Sequence, residues 1–486
     1  MCGIMGYIGS RDVKGVLLEG LRRLEYRGYD SAGVAIVGED GINRRRAVGR
    51  VNGLSSTIDT EMPGSAGIAH TRWATHGEVT KANAHPHMDA REQVAVVHNG
   101  IIENMAFLKN RLESEGVVFQ SETDSEIIAH LVMRFYDGLG ALGDSTLPDV
   151  QGDPVEAVRQ ALARLRGTWG ISVVFADHPD VIIAARNGSP LVVGLGEDET
   201  FIASDPHALV PFTRQAVYLE DGDIVRIDRG GVQTFHARGE GTAPNVEMLN
   251  EDWGMGERGD FPHFMLKEIY DQPEALRQCL RGRVVKQTGT AKLGGLELLP
   301  RDMVDISQVK LLGCGTAYYA CQVGATVIEH LARVPANAEI ASEFRYRNAV
   351  IEPNALHFAV SQSGETADTL GAVKEIQLKG GKTMGVVNVV GSSIARACGR
   401  GVYIHSGPEM AVASTKAFSN MVAALSLFAL QLGRTRYLSP HQGQEYADRL
   451  LEIPGLVERY LENPGPIDEV VRWVTRAPMV LFLGRG

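Results

Sequence analysis

The feature that most constrains this fold is a change of rhythm in the apolar residues near Leu266. As far as about Ala237, short apolar runs follow one another at close spacing, which is typical of strands. Those runs are 34–37, 94–97, 171–175, 181–184 and 191–193. Beyond Leu266 each run leads into a Gly- or Ser-rich turn and then a helical segment, which predicts a parallel α/β sheet. These later runs are 309–312, 356–360 and 385–390.

Few helices interrupt the strands of the first half, which favours an α+β domain with packed sheets. Helices are predicted at Val13–Leu24, at Ile102–Glu115 and from Thr123, where Glu126 has the spacing of a capping box. The Gly-rich and mostly polar segment Gly230–Asp260 is predicted to be a linker.

The second half predicts longer helices between its strands. One begins near Asp368 and ends at Gly380, and a helical connector follows from about Pro440 to Thr475. The run 480–483 then leads into Gly-Arg-Gly and repeats the pattern of 311–315. We interpret it as the first strand of a second α/β lobe, so we expect the chain to be incomplete and this strand to be exposed.

Composition excludes several classes of function. The 486 residues suggest about three domains at roughly 150 residues each. A net charge of -11 without a basic stripe argues against a nucleic-acid partner, and no apolar run reaches the ~18 residues of a membrane helix. The 5 scattered cysteines favour a reducing cytoplasm over disulfides or a zinc ribbon. The first residues do not have the pattern of a secretory signal.

Cys2 is the sharpest chemical signal in the chain. Removal of Met1 would leave a thiol and a free α-amino group on one residue, and that amine can act as the base of the nucleophile. An α-amino group titrates at about 7.7–8.0, so a useful fraction of it is unprotonated near neutral pH. A cysteine at position 2 by chance is the alternative, so other segments must support this interpretation.

Two segments offer partners for such a nucleophile. In 70–77, Arg72 could grip a carboxylate, whereas a surface ion pair, with Trp73 as a core anchor, is the alternative. Asn99 and Gly100 follow the strand 94–97 and offer the donors of an oxyanion hole. A plain Asn-Gly turn is at least as common at such a position.

Other polar residues are less specific. Asp124 could bind an ammonium group, or it could simply favour the start of a helix through the helix dipole. His85 and His87 flank a proline, but no cysteine or carboxylate lies nearby at metal spacing, so we do not expect a zinc site.

The turn Ser361–Thr366 is the main candidate for anion binding. It lies where a strand turns into a helix, so it offers hydroxyls and helix N-terminal amides to a phosphate. N-capping by Ser363 or Thr366 would explain one hydroxyl but not three. The turns 315–316 and 414–416 open two further helices, so several turns could converge on one ligand at the carboxyl ends of the strands.

Taken together, these segments resemble one family over the whole length from Cys2 to Gly486. The family is glutamine:fructose-6-phosphate aminotransferase (isomerizing), the glucosamine-6-phosphate synthases. The most specific segments are the amino-terminal Cys-Gly-Ile, 25–33 (EYRGYDSAG), 70–77 (HTRWATHG), 98–104 (HNGIIEN), 121–124 (SETD), 341–347 (ASEFRYR) and 361–369 (SQSGETADT).

The resemblance implies an α+β N-terminal-nucleophile hydrolase (αββα) domain, followed by an α/β doubly wound sugar isomerase (SIS) domain, with a second SIS lobe only begun. The implied limits are 2–229 for the type-2 glutamine amidotransferase domain and 230–298 for a linker and helical connection. The first SIS domain would span 299–439, and 440–486 would hold a helical connector and the first strand of the incomplete second SIS domain.

The resemblance also implies a reaction, in which fructose 6-phosphate and glutamine give glucosamine 6-phosphate and glutamate, the first step of amino-sugar biosynthesis. Cys2 would attack the side-chain amide of glutamine, and Asn99 and Gly100 would hold the oxyanion. Arg72 would bind the α-carboxylate and Asp124 the α-ammonium group. The pocket would be lined by Thr75, His76 and Gly77, with Trp73 similar to a gate on the ammonia path.

For the sugar, the resemblance implies a phosphate site at Ser361, Gln362, Ser363 and Thr366, completed by Thr316, Val412 and Ser414. The family usually has Ser where this chain has Ala317, which removes one hydrogen-bonding group. Its isomerisation residues lie in the absent lobe and tail. We therefore expect glutamine hydrolysis to be intact and sugar amination to be lost or very weak.

No cofactor and no metal are implied, and the partners are glutamine and fructose 6-phosphate, without nucleic acid or membrane. The location would be cytoplasmic, and the complete protein would be a homodimer. Two alternatives remain open at this point. Another type-2 amidotransferase would share Cys2, Arg72 and Asn99, but it would need a nucleotide or diphosphate site. A non-catalytic sugar-phosphate sensor would not need these residues.

Overall fold

A computed structural model describes residues 2–58, 62–74, 77–139, 151–236, 246–249, 258–465 and 467–484. The chain divides into two compact units, Met1–Gly256 and Glu257–Gly486. In the described part of the chain, no helix combines the length and apolar character that a membrane span requires.

The first unit is rich in short strands. Its strands are β1 (Gly3–Ile8), β2 (Ser31–Gly38), β3 (Gly41–Val48), β4 (Ala66–Arg72), β5 (His87–Met88), β6 (Val94–Ile102), β7 (Gly167–Phe175), β8 (Ile182–Asn187), β9 (Val192–Leu195), β10 (Thr200–Ala203), β11 (Gln215–Tyr218), β12 (Asp223–Asp228), β13 (Gly231–His236) and β14 (Val246–Met248). Its helices are α1 (Val13–Leu24), α2 (Val51–Thr57), α3 (Met105–Ser114), α4 (Ser125–Tyr136) and α5 (Pro154–Leu162).

Two antiparallel sheets form the centre of this unit. One has the strand order β14-β11-β9-β10-β1-β4-β2-β3, and the other β13-β12-β8-β7-β6-β5. Ile4 and Ile68 of the first sheet share a buried core with Val97 and Ala184 of the second. The sheets therefore pack face to face.

Helices cover the outer faces of both sheets. Leu17 and Leu21 of α1 pack in one core with residues of the first sheet. Ile127 of α4 and Val158 of α5 pack in another core with residues of the second sheet. The layers are thus helix, sheet, sheet, helix, which confirms the predicted αββα arrangement.

The second unit alternates strands with helices. Its strands are β15 (Val284–Val285), β16 (Thr290–Ala291), β17 (Gln308–Gly313), β18 (Ala336–Ile340), β19 (Ala355–Ser361), β20 (Lys382–Val387) and β21 (Gly401–Tyr403). Its helices are α6 (Phe264–Leu280), α7 (Pro300–Val304), α8 (Thr316–Ala332), α9 (Ala341–Tyr346), α10 (Ala367–Leu378), α11 (Ser393–Cys398), α12 (Lys416–Arg436), α13 (Pro440–Glu462) and α14 (Ile467–Val474).

Five of these strands form a parallel sheet in the order β18-β17-β19-β20-β21. Leu311 and Phe358 pack on one face with Phe428 of α12. Leu312 packs on the other face with Phe344 of α9. A parallel sheet with both faces covered is the predicted doubly wound arrangement. The chain runs outward in opposite directions from β17 and β19, so the gap between these strands is the switch point at which such folds bind ligands.

Four predicted boundaries are corrected by the structure. Strand β6 continues to Ile102, so the helix predicted from Ile102 begins at Met105, because hydrogen bonding to β7 extends the strand beyond its apolar run. The predicted linker contains β13 and β14, which lie at sheet edges and need few apolar residues.

The other two corrections concern a helix start and the end of the chain. Helix α4 begins at Ser125, and Glu126 accepts the amides of Gln120 (2.8 Å) and Ser121 (2.7 Å) instead of forming a capping box at Thr123. The run 480–483 pairs with no strand among the described residues, although its predicted exposure is confirmed, with Phe482 93% exposed.

Candidate functional site

The strand register brings Cys2 to the end of β4. Gly3 pairs with Thr71, and on the other side of β4 Ser31 pairs with Arg72. Cys2 therefore lies beside the segment that leaves β4 at Trp73. The Trp73 amide donates a hydrogen bond to Sγ of Cys2 at 3.3 Å, and Sγ lies 3.6 Å from the Trp73 carbonyl oxygen. The thiol is therefore held by backbone groups of Trp73, where the interior strand β4 ends.

Asn99 approaches Cys2 from the second sheet. Its Nδ2 donates to the carbonyl oxygen of Cys2 at 3.1 Å, while its Oδ1 lies 3.0 Å from Nε2 of His70. Gly100 follows in the same strand with φ of 141°, and a Cβ there would lie 2.0 Å from the Thr168 carbonyl oxygen. Only glycine fits this position. Asn99 and Gly100 thus belong to a paired strand and not to a turn.

Arg72 and Asp124 are charged groups buried in the same unit. The guanidinium of Arg72 donates to the carbonyl oxygens of Glu78 at 3.2 Å and Gly77 at 3.4 Å. Asp124 accepts the Ile102 amide at 2.8 Å through Oδ2. Backbone hydrogen bonds therefore hold both side chains in place.

The segment 25–33 supports Trp73. A Cβ at Gly28 would lie 2.6 Å from the carbonyl carbon of Arg72, so the backbones approach too closely for any side chain. Tyr29 meets the Trp73 indole edge to face at 5.4 Å, and Asp30 accepts the Ala74 amide. Trp73 itself is 41% exposed, so it is not the core anchor of the alternative interpretation.

Burial dominates the electrostatics around Cys2. It raises the pKa of the Cys2 thiol, although the Trp73 amide and the Arg72 guanidinium act in the opposite direction. It lowers the pKa of His70 to about 3 and the pKa of His87 to about 3. It also lowers the pKa of His85 well below its usual range. The thiol is therefore protonated near neutral pH and needs a base, whereas these imidazoles are neutral.

Two predicted site residues, Thr75 and His76, lie outside the described residues. Gly77 is described and has φ of 74°, a conformation that favours glycine. Within the described ranges, no group of three or more His, Cys, Asp or Glu side chains is placed to hold a metal ion.

In the second unit, the turn after β19 is organised by its own hydroxyls. Oγ of Ser361 accepts the Gly364 amide at 3.0 Å and lies 2.9 Å from Oγ1 of Thr366. Oγ of Ser363 accepts the Glu365 amide at 3.1 Å. Thr366 is the N-cap residue of α10, yet its side chain makes no capping hydrogen bond. The hydroxyls thus shape the turn at a helix N-terminus, and simple capping does not account for them.

Neighbouring turns come close to this one at the same edge of the sheet. Oγ1 of Thr369 lies 3.9 Å from Sγ of Cys314, just before Thr316 at the start of α8. The backbone N–H of Asn388 donates to the Gln362 carbonyl oxygen at 3.2 Å. The side-chain Nδ2 of Asn388 donates to the Gly407 carbonyl oxygen at 2.8 Å. The turns after β17, β19 and β20 and the loop after β21 are therefore linked, as expected at a switch point.

The loop before α12 holds the last two predicted sugar ligands, Val412 and Ser414. Val412 is exposed, and Ser414 donates to Oε2 of Glu409 at 2.9 Å. Oε1 of Glu409 also accepts the amides of Thr415 at 2.9 Å and Ala417 at 3.1 Å. Sequence reasoning missed Glu409, because only the fold shows that this carboxylate lies at the N-terminus of α12.

Ala317, which stands where the family usually has Ser, packs in the core shared by α8 and α12.

Sequence reasoning also missed Glu268 of α6, which is buried and accepts the backbone amides of Met410 and Ala411. Neither Glu268 nor Glu409 lies in a recognisable motif. Each became visible only through the backbone amides that it binds.

Comparisons with known proteins agree with both units. Residues 70–211 match the glutamine amidotransferase domain family, and residues 303–431 match the SIS domain family. A glutamine–fructose-6-phosphate aminotransferase (isomerizing) of Thermus thermophilus is 45% identical over 489 residues, which covers 100% of this chain and 78% of the relative. This chain belongs to the glutamine–fructose-6-phosphate aminotransferase (isomerizing) family.

Another relative gives the same result. The aminotransferase of Symbiobacterium thermophilum is 44% identical over 490 residues, again covering 100% of this chain and 78% of the relative. Among solved structures, the C-terminal domain of the Francisella tularensis aminotransferase is 33% identical with a TM-score of 0.42, over 44% of this chain and 60% of that chain. This chain combines a match to the glutamine amidotransferase domain family with a match to the SIS domain family.

Proposed function

We propose that this chain hydrolyses glutamine at Cys2, as the glutaminase half of the reaction that converts fructose 6-phosphate and glutamine to glucosamine 6-phosphate and glutamate, and that sugar amination by these 486 residues is lost or very weak. Family membership supports the overall reaction. One observation in the structure carries the glutaminase half: Asn99 reaches from the second sheet to the Cys2 backbone, with Nδ2 3.1 Å from the carbonyl oxygen. This contact joins a candidate nucleophile to a candidate oxyanion donor.

In the proposed reaction, Sγ of Cys2 attacks the side-chain amide carbon of glutamine. The α-amino group that is exposed when Met1 is removed takes the thiol proton and passes it to the leaving ammonia. The Asn99 amide has two N–H groups. One binds the Cys2 carbonyl oxygen, and the other, with the Gly100 amide, would bind the oxyanion. Collapse of the tetrahedral intermediate breaks the C–N bond and yields ammonia and a thioester on Cys2. Water then hydrolyses the thioester to glutamate and the free thiol.

The charged ends of glutamine would be bound by the two buried charged groups of the same unit. Arg72 would take the α-carboxylate and Asp124 the α-ammonium group. Trp73 and Gly77 would line the pocket together with Thr75 and His76. Binding both ends orients the side-chain amide for attack, which is the main use of such contacts in catalysis.

The phosphate of the sugar would bind at the turn 361–366. Ser361, Gln362, Ser363 and Thr366 would supply hydroxyl, amide and backbone donors at the N-terminus of α10. Thr316, Val412 and Ser414 would complete the pocket from the two neighbouring turns. Support comes from the hydrogen bonds that link these turns at the switch point.

We also propose limits for the domains. The SIS domain is taken as 299–439 and the connector with the start of a second lobe as 440–486. The amidotransferase domain begins at Cys2 and includes β13 and β14, so it extends beyond residue 229. For the assembly we propose a homodimer.

Two measurements test the two halves of this proposal. The purified chain, with removal of Met1 confirmed by mass, is incubated with glutamine and fructose 6-phosphate, and glutamate and glucosamine 6-phosphate are quantified together. We expect glutamate to form and its formation to stop in Cys2→Ala. Binding of fructose 6-phosphate is measured separately by calorimetry, with Cys2→Ala as a control that should bind normally.

The outcomes separate the two halves. Glutamate release that persists in Cys2→Ala would contradict the nucleophile, and an absence of fructose 6-phosphate binding would contradict the sugar site. Matched amounts of glutamate and glucosamine 6-phosphate would show that these 486 residues carry the whole reaction. Glutamate alone, with fructose 6-phosphate bound, would show that ammonia transfer needs residues outside them.

A further inference from the structure

A buried chain of hydrogen bonds runs from His70 through Asn99 to Cys2. The carbonyl oxygen of Cys2 can only accept, so the atom of Asn99 at 3.1 Å from it must be the donor Nδ2. Oδ1 of Asn99 therefore faces Nε2 of His70 at 3.0 Å. Since Oδ1 can only accept, Nε2 of His70 carries the hydrogen.

The surroundings of His70 keep its ring in one place. The side chain is fully buried, and its ring lies 4.1 Å from the ring of His85, tilted by 31°. The His85 ring in turn meets the ring of His87 at 4.6 Å, and Nε2 of His87 lies 3.0 Å from Oγ1 of Thr123. Among the described residues, neither ring nitrogen of His85 has a hydrogen-bond partner. His85 therefore acts as a packing surface that supports His70.

A planar amide needs two restraints to be fixed. The Cys2 carbonyl oxygen restrains one N–H of Asn99, but the amide could still swing about that contact. The hydrogen bond from His70 to Oδ1 supplies the second restraint. It also satisfies an acceptor that would otherwise be buried without a partner, which is costly.

We propose that His70 is a positioning residue of the glutaminase reaction, whose Nε2–H holds Asn99 so that its second N–H points at the developing oxyanion. This inference rests on the proposed function, in which Asn99 is an oxyanion donor. His70 itself does not touch the substrate. Its effect passes through Asn99 alone.

The decisive test is a double-mutant cycle of His70→Phe and Asn99→Ala in the full chain. Phenylalanine keeps a ring against His85 but removes the donor. Loss of an oxyanion donor lowers kcat by about 10²–10³-fold. Because Asn99 stays but is loosened, we expect His70→Phe to lower kcat for glutamine hydrolysis by about tenfold to 100-fold. KM should stay within about twofold, since ground-state binding does not use the oxyanion donor.

In the Asn99→Ala background, His70→Phe should cause no further loss of kcat. His70→Gln, which can still donate to Oδ1 through a side-chain amide, should recover part of the loss. A residue with a merely structural role would reduce kcat by the same factor in both backgrounds, and the conservative variant would not rescue it. Either of those results would overturn the inference.

Folding and thiol reactivity are checked separately. The rate of Cys2 alkylation by iodoacetamide does not use the oxyanion donors, so it should stay within about twofold in His70→Phe. Melting temperature reports the cost to folding. His178→Gln is the matched control, because His178 contacts the hydroxyl of Tyr136 at 2.9 Å and has no part in the proposed site.

The same set of variants tells the two proposals apart. If Asn99→Ala or Cys2→Ala hydrolyses glutamine normally, the proposed function fails. If both of these variants are impaired while His70→Phe keeps its kcat, only the role of His70 fails. A His70→Phe variant that raises KM at constant kcat also contradicts the role, since it would indicate lost glutamine binding.

Discussion

The two candidate sites are built in opposite ways. The site around Cys2 takes its residues from two sheets, which meet where β1, β4 and β6 come together. The candidate phosphate site lies mainly in one turn, where Ser361, Ser363 and Thr366 follow each other within a single strand-to-helix connection. One site therefore depends on tertiary packing, and the other on local backbone conformation.

This difference has consequences for robustness. Buried side chains such as His70 and Asn99 hold one another across the sandwich, so a change at one position should spread to its partners. In the turn, a hydroxyl such as that of Ser361 binds a nearby backbone amide. A change there should alter ligand binding and leave the rest of the unit folded. Four predictions test this contrast, beginning with the largest expected effect.

Cys2→Ala should lower glutamine hydrolysis by about 10³-fold or more, because loss of a nucleophile removes the covalent route. Fructose 6-phosphate should bind with unchanged affinity. Glutamate formation and calorimetric titration measure the two effects. Cys398→Ala, which removes a thiol from the second unit, is the control and should hydrolyse glutamine normally. Equal losses in both variants would mean that the effect is on folding.

Acid should destabilise the first unit through its buried histidines. His70 and His87 have pKa values of about 3 when folded, against about 6.5 when unfolded. Below pH 6.5 the unfolded state binds more protons, so the free energy of unfolding falls as the pH falls. The slope is about 1.4 kcal/mol per pH unit for each histidine. The stabilisation is fully present above about pH 6.5.

Urea denaturation between pH 6.5 and 5 measures this slope. His87→Gln keeps a group that can bind Thr123 but does not titrate, so its slope should be smaller by about 1.4 kcal/mol per pH unit. An unchanged slope in this variant would show that His87 does not contribute. His178→Gln serves as the control again, since it leaves the buried histidines in place.

Gly364→Ala should weaken fructose 6-phosphate binding at least tenfold, by about 1.4 kcal/mol or more. Gly364 has φ of 66°, and a Cβ there would lie 2.0 Å from Oγ of Ser392. Gly391→Ala is the matched control, because φ is 71° but no atom lies within 4 Å of the added Cβ. Calorimetry compares the two. Similar losses of affinity in the two variants would show that backbone strain causes the effect. The close contact with Ser392 would then not be its cause.

Ser414→Ala should have the smallest effect. It removes the hydrogen bond to Glu409, so the second unit should lose about 1 kcal/mol of unfolding free energy. Fructose 6-phosphate affinity should fall about fivefold. Denaturant titration and calorimetry check these values, with Ser419→Ala, in the helix α12 that follows the loop of Ser414, as the control for affinity. An affinity loss without any loss of stability would indicate direct contact with the ligand.

Much of the fold was predictable because it follows from local pattern. Apolar periodicity predicted the bounds of α1 correctly, and the strand–turn–helix rhythm predicted the parallel sheet around β17 and β19. Turn chemistry also placed Ser361–Thr366 at a helix N-terminus. These features depend on residues that are close in sequence.

What could not be predicted depends on long-range pairing. The extension of β6 through Asn99 needed β7 as a partner, and β13 became a strand because β12 offered it an edge. Glu409 carries no motif, and its role appears only where its carboxylate meets the amides before α12. The run 480–483 has the pattern of a strand, but it has no neighbouring strand to pair with among the described residues, and it therefore lies outside the sheets.

The sequence by itself determined the two domain classes, Cys2 as the candidate nucleophile and the turn Ser361–Thr366 as the candidate anion site, because these follow from periodicity, position and local turn chemistry. Only the tertiary structure decided that His70 faces Asn99, that Asn99 faces Cys2, and that the half-buried thiol lies against the Trp73 backbone. The reason is physical. Strand register and sheet packing set which distant groups meet, and burial then sets which of them remain neutral.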